Sequence, residues 1–347
     1  MGTPVDPVPQ VVREALAAAA DSPGYPATAG TPELREAAAD WLARRHGVSV
    51  PADAVLPVIG TKELVAWLPT LLGCGPGDVV VHPALAYPTY DVGARLAAAT
   101  PVAGDVLSWL AAGSAALPAA LAGADPGRVR LAWVNSPANP SGQVLTAAEL
   151  GAIAGWVRER GAVLASDECY LDLGFERRPV SVLHPDACGG SHHGLLAVHS
   201  LSKRSNLAGY RAGFVTGDPD LVARLLEIRR HAGMMVPAPV QAAMTAALRD
   251  DTHADAQHAR YQRRRAALRP AVEAAGWRVE HSAGGLYLWA SHPGRDCWES
   301  VRVLAGAGIL AAPGEFYGPA GARHIRLAVT ATDERITAAV GRLAQLA

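Results

Sequence analysis

The sequence predicts an α/β fold: a mostly parallel sheet flanked by helices, followed by a smaller α+β C-terminal domain. Three observations lead there. Short apolar runs of strand length alternate with helical stretches over the first two thirds of the chain. Polar residues gather where those runs end. From about Leu221 the texture turns helical, and only then do a few short strand candidates return. A length of 347 residues suits about two domains of roughly 150 residues each.

Taken in order, Pro9 to Ala20 reads as a short helix stopped by Asp21-Ser22-Pro23-Gly24. Thr31 is an N-cap with Pro32 behind it, opening a helix that runs to about His46 and closes at Gly47. Val55-Leu56-Pro57-Val58-Ile59 is a short strand in which Pro57 is awkward for a central position. Gly60-Thr61-Lys62-Glu63 then opens an apolar helix, Leu64 to Leu72. A strand, a glycine turn and a helix start present free backbone N–H groups, a cradle for an anion such as phosphate. Asp78 to Val81 forms the next strand and leads to Tyr87, an aromatic placed to lie on a planar ring or to pack. Val129 to Val134 ends in Asn135-Ser136-Pro137-Ala138-Asn139-Pro140-Ser141-Gly142, and a helix follows from Ala147 to about Arg160. Ala162 to Ser166 ends in Asp167-Glu168-Cys169-Tyr170. Ligands of parallel sheets bind at such strand ends.

The stretch Ser200 to Gly213 lies between the strands Leu195–Val198 and Gly213–Gly217. It holds a lone lysine, Lys203, among hydroxyls and small residues. A desolvated lysine has a lowered pKa and an amine free to form a Schiff base. Ser200 and Arg211 are anion-binding types beside it. Beyond Leu221 come a long Arg-rich helical stretch, Asp255 to Ala275, and strand candidates at Trp277–Val279, Leu286–Trp289 and His324–Val329. A domain boundary is expected in the helix that begins near Asp220, and the run Arg263-Arg264-Arg265 is expected to be a solvated helix face.

Composition narrows the function class. Half of the residues are apolar and 18 % are charged, below the ~25 % of an average domain. The net charge of −1 is spread evenly, so neither nucleic acid nor an anionic membrane is an expected partner. No run nears the ~20 apolar residues of a membrane span. Cys74, Cys169, Cys188 and Cys297 are scattered, without metal-ligand or disulfide spacing, which suits a reducing cytoplasm. Met1 to Gln10 is proline-rich and lacks the apolar core of a signal peptide.

The scattered polar sites form one set if the ligand is a pyridine ring carrying an aldehyde, a hydroxyl and a phosphate. Lys203 takes the aldehyde, Asp167 keeps the ring nitrogen protonated, Asn139 and Tyr170 bond the ring hydroxyl, and Tyr87 stacks on the ring. Gly60, Thr61, Lys62, Ser200 and Arg211 grip the phosphate. On these segments, together with Tyr25-Pro26-Ala27-Thr28-Ala29-Gly30 and Ile325-Arg326-Leu327, the whole chain resembles the class I/II aminotransferases of pyridoxal-phosphate fold type I. The wording of Gly2-Thr3-Pro4-Val5-Asp6-Pro7 and Ser202 to Arg211 is most similar to actinobacterial succinyl-diaminopimelate transaminases.

The resemblance implies a pyridoxal 5'-phosphate cofactor and a cytoplasmic homodimer that shares its active sites. It implies a large cofactor-binding domain over 25–222 and a small domain over 223–347, to which residues 1–24 contribute. Arg326 then binds the substrate α-carboxylate, with Asn139 and Gly2 close to it, and Tyr25 reaches the neighbouring subunit's cofactor. The implied substrates are an amino acid and a 2-keto acid, with glutamate and N-succinyl-2-amino-6-ketopimelate, the keto form of N-succinyl-diaminopimelate, as the pair. Lys62, Arg95 and Arg204 are candidates for a distal carboxylate, surface solvation being the simpler role for each. A C–S β-lyase with the same cofactor and a non-catalytic cofactor-binding module are the alternatives. Ser136 and Ser141 depart mildly from the family's Pro and Thr. The family also has an arm ahead of the Gly2 segment, so the arm is either cut short or dispensable here.

Overall fold

A computed structural model describes residues 2–112 and 125–346. Helices α1 (Gln10–Ala18) and α2 (Pro32–His46) come first. Thr31 caps α2 as expected: its side chain accepts the Leu34 N–H, and Gly47 ends the helix in the left-handed region at φ 66°.

Seven strands then build the main sheet: β1 (Val55–Ile59), β2 (Val79–His82), β3 (Thr100–Ala103), β4 (Val129–Asn135), β5 (Val163–Asp167), β6 (Leu195–Ser200) and β7 (Ala212–Gly217). Their spatial order is β1-β7-β6-β5-β4-β2-β3. Strand β7 runs antiparallel to β1 and β6, and the remaining pairs are parallel. Pro57 is tolerated because β1 is an edge strand, so its missing donor interrupts no ladder on the outer side. Strand β3 and the helix Thr89–Leu96 are among the elements that escape the sequence reading. Strand β3 is a four-residue edge that contains Pro101 and is largely unburied. Helix α4 (Thr89–Leu96) starts without a side-chain cap, and a Cβ on its Gly93 would stand only 2.8 Å from the Val65 carbonyl. Glycine, normally a helix weakener, is there the residue that permits close approach.

Helices cover both faces. On one, Trp41 and Leu42 of α2, Ile153 of α6 (Ala147–Arg158) and Met244 of α10 (Ala238–Arg249) pack on Leu164, Leu195 and Phe214. Between α4 and α6 lies α5 (Val106–Ala112), and α7 (Pro185–Cys188), α8 (Leu201–Arg204) and α9 (Pro219–His231) follow α6. On the other face, Leu64 and Leu68 of α3 (Thr61–Leu71) and Leu225 of α9 pack on Val58, Val80, Trp133 and Val198. A second, wholly antiparallel sheet has the order β10 (Ala312–Pro313), β11 (His324–Ala328), β9 (Tyr287–Ser291), β8 (Arg278–Glu280). Its core joins Tyr261 and Leu268 of the long helix α11 (Thr252–Ala274) to Leu288, Ile325 and Leu327. Helices α12 (Cys297–Gly306) and α13 (Asp333–Leu343) complete it.

The run Arg263-Arg264-Arg265 corrects the sequence reading. Arg264 is buried and grips Asp6 through both terminal nitrogens, at 2.7 and 2.8 Å, so it ties the N-terminal segment to α11. Among the described residues, no helix is long and apolar enough to cross a membrane.

Candidate active site

A pocket of about 890 Å³ opens where the main sheet's strand ends meet the second sheet. Thr61, Lys62, Tyr87, Asn139, Asp167, Tyr170, Ser200, Lys203, Arg211 and Arg326 all line it, and so does Gly2. Gly60 sits one residue behind, as the N-cap of α3 with φ 71° and ψ 154° and no side-chain cap bond. That backbone region is essentially reserved for glycine, and a Cβ there would run into the Arg211 guanidinium. The helix start and Arg211 thus converge, which makes a cradle for a phosphate. Tyr25 is the one predicted residue placed elsewhere: it is 97 % exposed and outside the pocket of its own chain.

Alternation along β5 and β6 delivers Asp167 and Ser200 to the pocket, and the single helical turn of α8 delivers Lys203. Asp167 is buried; its Oδ2 accepts the Tyr90 hydroxyl at 2.8 Å and its Oδ1 the Cys169 N–H at 3.2 Å. Burial pushes its pKa up, while the Tyr90 bond opposes this. Tyr90 is itself fixed by stacking on Trp133 at 5.0 Å. The Lys203 amine makes no hydrogen bond or ion pair among the described residues. Burial lowers its pKa, and the charges of Arg211 and Arg326 push the same way. An amine in that state is a competent nucleophile and base.

Arg326 comes from β11, on the other sheet. Its Nη1 donates to Asn139 Oδ1 at 2.8 Å, and its guanidinium lies between the rings of Tyr287 and Tyr317, 3.9 and 4.8 Å from their centroids. The buried Nε has no hydrogen-bond partner among the described residues, so an edge of the fork is left for a carboxylate. Asn139 is held in turn by its own backbone N–H, which donates to Asn135 Oδ1 at 2.7 Å. With Oδ1 already accepting from Arg326, the amide nitrogen of Asn139 is its free donor toward a ligand. The Tyr170 hydroxyl pairs with that of Tyr287 at 3.0 Å. Gly2 packs on that same Tyr287 hydroxyl so closely that a Cβ would collide with it.

The three distal-carboxylate candidates separate. Arg95 is a surface residue paired with Asp91 four residues back. Arg204 is neither solvated nor in the pocket: it is buried and bound to Asp172 at 2.6 Å. Lys62 lines the pocket, with its ammonium 6.0 Å from the Tyr87 ring and no hydrogen bond or ion pair among the described residues.

The residues present suit a phosphorylated aldehyde on an aromatic ring: an unpaired buried amine, a carboxylate below it, a glycine-gated cradle and aromatic walls. A family model for aminotransferase class I and II matches residues 2–343. The chain belongs to the class I and II aminotransferases. These aminotransferases are pyridoxal-phosphate enzymes, and pyridoxal phosphate is the cofactor of this chain. One relative within the family is the 4-dedimethylamino-4-oxo-anhydrotetracycline transaminase OxyQ of Streptomyces rimosus, 60% identical over 99% of this chain and 91% of that one. Another is the probable aminotransferase Rv1178 of Mycobacterium tuberculosis, 59% identical over 99% of this chain and 79% of that one. Among solved structures, a probable N-succinyldiaminopimelate aminotransferase from Thermus thermophilus superposes with a TM-score of 0.88 at 27% identity, covering 100% of this chain and 94% of that one.

Sequence reasoning missed Tyr90, Asn135, Cys169, Tyr287, Phe316 and Tyr317 as pocket or support residues. Tyr287 carried a usable signal: a tyrosine in a buried apolar strand needs a partner for its hydroxyl. Phe316 and Tyr317 sit in a short 3₁₀ turn, Gly314–Tyr317, that has no periodicity to read.

Proposed function

We propose that the chain moves an amino group from an α-amino dicarboxylic acid such as glutamate to a keto acid that carries a second carboxylate, N-succinyl-2-amino-6-ketopimelate. The observation that carries this reading is Lys62, a cation in the pocket with no hydrogen-bonding or ionic partner among the described residues once Lys203, Arg211 and Arg326 have roles. Two positive anchors, Arg326 and Lys62, suit a substrate with two separated carboxylates. The likeness to the Thermus thermophilus protein supports the same reading.

Pyridoxal phosphate, when bound, supplies an aldehyde for the amino group and a ring that spreads the negative charge left on a substrate carbon. Gly60, Thr61, Ser200 and Arg211 would hold its phosphate, Asp167 would keep its ring nitrogen protonated, and Tyr87 would lie against the ring. The amide nitrogen of Asn139 and the Tyr170 hydroxyl would reach its ring hydroxyl. Arg326 fixes the substrate α-carboxylate and thereby the direction of the α-hydrogen. Lys203, its pKa lowered by burial, would take the proton from the substrate α-carbon and hand it to the former aldehyde carbon within the same half-reaction, and the second half-reaction would run that transfer in reverse. The exposed Tyr25 suits a role across a homodimer interface, at the partner's cofactor.

A second reading has its own support. The 60% identity to OxyQ and the aromatic walls of Tyr87, Tyr287, Phe316 and Tyr317 favour a polycyclic ketone as amino acceptor. Purified protein assayed with glutamate against both acceptors decides between them. Turnover only with the succinylated keto acid, lost in Lys62→Ala, supports the first reading; turnover only with the polycyclic ketone overturns it. Borohydride should bleach the yellow protein and label Lys203, and transamination by Lys203→Ala would sink the mechanism.

A further inference from the structure

The pleat that sends Asp167 and Ser200 into the pocket sends their chain neighbours, Glu168 and His199, to the opposite face of the sheet, under Trp41 of α2. Arg204, the residue after Lys203, lines a cavity with them. All three are at least 96 % buried, with exposures of 2, 1 and 4 %. The cavity is small, about 10 Å³, room for one water molecule.

Part of each polar group is satisfied. Glu168 Oε1 accepts the Val182 N–H at 2.7 Å. Arg204 donates through Nε to Asp172 at 2.6 Å and through Nη1 to the Ala247 carbonyl at 2.9 Å. The rest is not: among the described residues Glu168 Oε2, both ring nitrogens of His199 and Arg204 Nη2 lack a hydrogen bond of good geometry, although the Ser166 and Ser181 hydroxyls lie near the carboxylate and Nη2 faces Asp251 Oδ1 at 3.9 Å. Leaving one such group unmatched costs about 1–3 kcal/mol, and several side by side are rare in a folded interior. Glu168 Oε2 and His199 Nε2 are 3.7 Å apart, too far for a direct bond and close enough for a bridge.

We propose that Glu168, His199 and Arg204 hold one ordered water in this cavity, and that the water-centred cluster positions Asp167, Ser200 and Lys203 from behind the sheet. The water accepts from Arg204 Nη2 and donates to Glu168 Oε2 and to the lone pair of His199 Nε2, three bonds in all. Burial, with help from the nearby charge of His46, holds His199 at about 3, so the ring is neutral and offers that lone pair. The His199 ring is further clamped by Phe214 at 4.9 Å and Trp41 at 5.3 Å. Each of the three is covalently next to a pocket residue, so a shift in the cluster is a shift in the pocket. The positioning role rests on the cofactor reading given above; the water does not.

The experiment is a high-resolution crystal structure of the cofactor-loaded protein together with His199→Phe, Glu168→Gln and Glu168→Leu. One density peak within hydrogen-bond distance of Glu168 Oε2, His199 Nε2 and Arg204 Nη2 is expected. His199→Phe keeps the ring stacking and removes the nitrogens. It should shift the pH midpoint of the cofactor absorbance and lower kcat about tenfold, as removal of an outer-layer partner does at metal sites, with KM for the amino donor held. Glu168→Leu should reproduce the shift and Glu168→Gln should recover the parent titration, which keeps the test alive if His199→Phe does not fold. No density peak, or a parent-like titration in both His199→Phe and Glu168→Leu, overturns the proposal. A protein that takes up no pyridoxal phosphate would instead overturn the cofactor reading, while the density peak would still decide the water.

Discussion

Arg326 and Asn139 meet at 2.8 Å, Nη1 to Oδ1, and in doing so join the second sheet to the loop after β4 of the first. The bond orients the guanidinium and leaves the amide's N–H side free, so two pocket residues orient each other. Arg326→Lys removes the fork and the stacking between Tyr287 and Tyr317 while keeping the charge. Steady-state kinetics should show kcat/KM down about 100-fold, roughly 2.7 kcal/mol, mostly through KM for the amino acid.

Gly60 offers a test of the phosphate cradle. Gly60→Ala places a Cβ at φ 71° against the Arg211 guanidinium. Cofactor affinity, followed by absorbance titration, should weaken at least about tenfold, an expected cost of roughly 1–3 kcal/mol for such backbone strain. Far-ultraviolet circular dichroism should stay at the parent value.

At the same helix start, Glu63 pairs bidentately with Arg229 at 2.7 and 3.1 Å, and Arg229 is fully buried. Glu63→Ala strands that cation and should cost about 3–5 kcal/mol in a denaturant titration. Adding Arg229→Met should recover a substantial part, because no buried charge is then left uncompensated.

Glu168 gives a pH dependence. Burial raises its pKa from 4.5 to about 7, and the neighbouring Asp167 charge adds to this against the Val182 N–H bond. The folded state therefore holds a proton that the unfolded chain releases above pH 4.5. That contribution to stability is complete below 4.5 and is lost as pH rises through about 7. His199, lowered from 6.5 to about 3, works in the other direction and loses stability as pH falls below 6.5. The two slopes offset each other between about 4.5 and 6.5. Glu168→Gln cannot ionise, so relative to the parent it should gain on the order of 3 kcal/mol in denaturation between pH 5 and pH 8. Equal stability differences at the two pH values would refute the assignment.

Much of this was legible because strands and catalytic chemistry leave local marks. The lysine between two buried runs, the glycine before a helix and the carboxylate at a strand end each follow from neighbours in the chain. What stayed hidden depends on distant partners. The Arg264–Asp6 pair spans the chain ends, and nothing beside Arg264 separates it from the more exposed Arg263. Arg204 looks like a loop cation until Asp172 and Trp41 close over it. Tyr90 sits in a segment that reads as loop, and only the fold brings its hydroxyl beneath Asp167.

The contact of Gly2 with Tyr287, in a pocket that also needs Arg326, has a consequence for how the protein is made. Residues far apart in the order of synthesis, Gly2 and Arg326, are walls of the same chamber. A nascent chain can assemble β1 to β7 and present Lys203, yet it has no place for a substrate carboxylate until β11 has left the ribosome. Substrate recognition is therefore acquired after the cofactor lysine, and a stop ahead of β11 would remove it while leaving Lys203 in place.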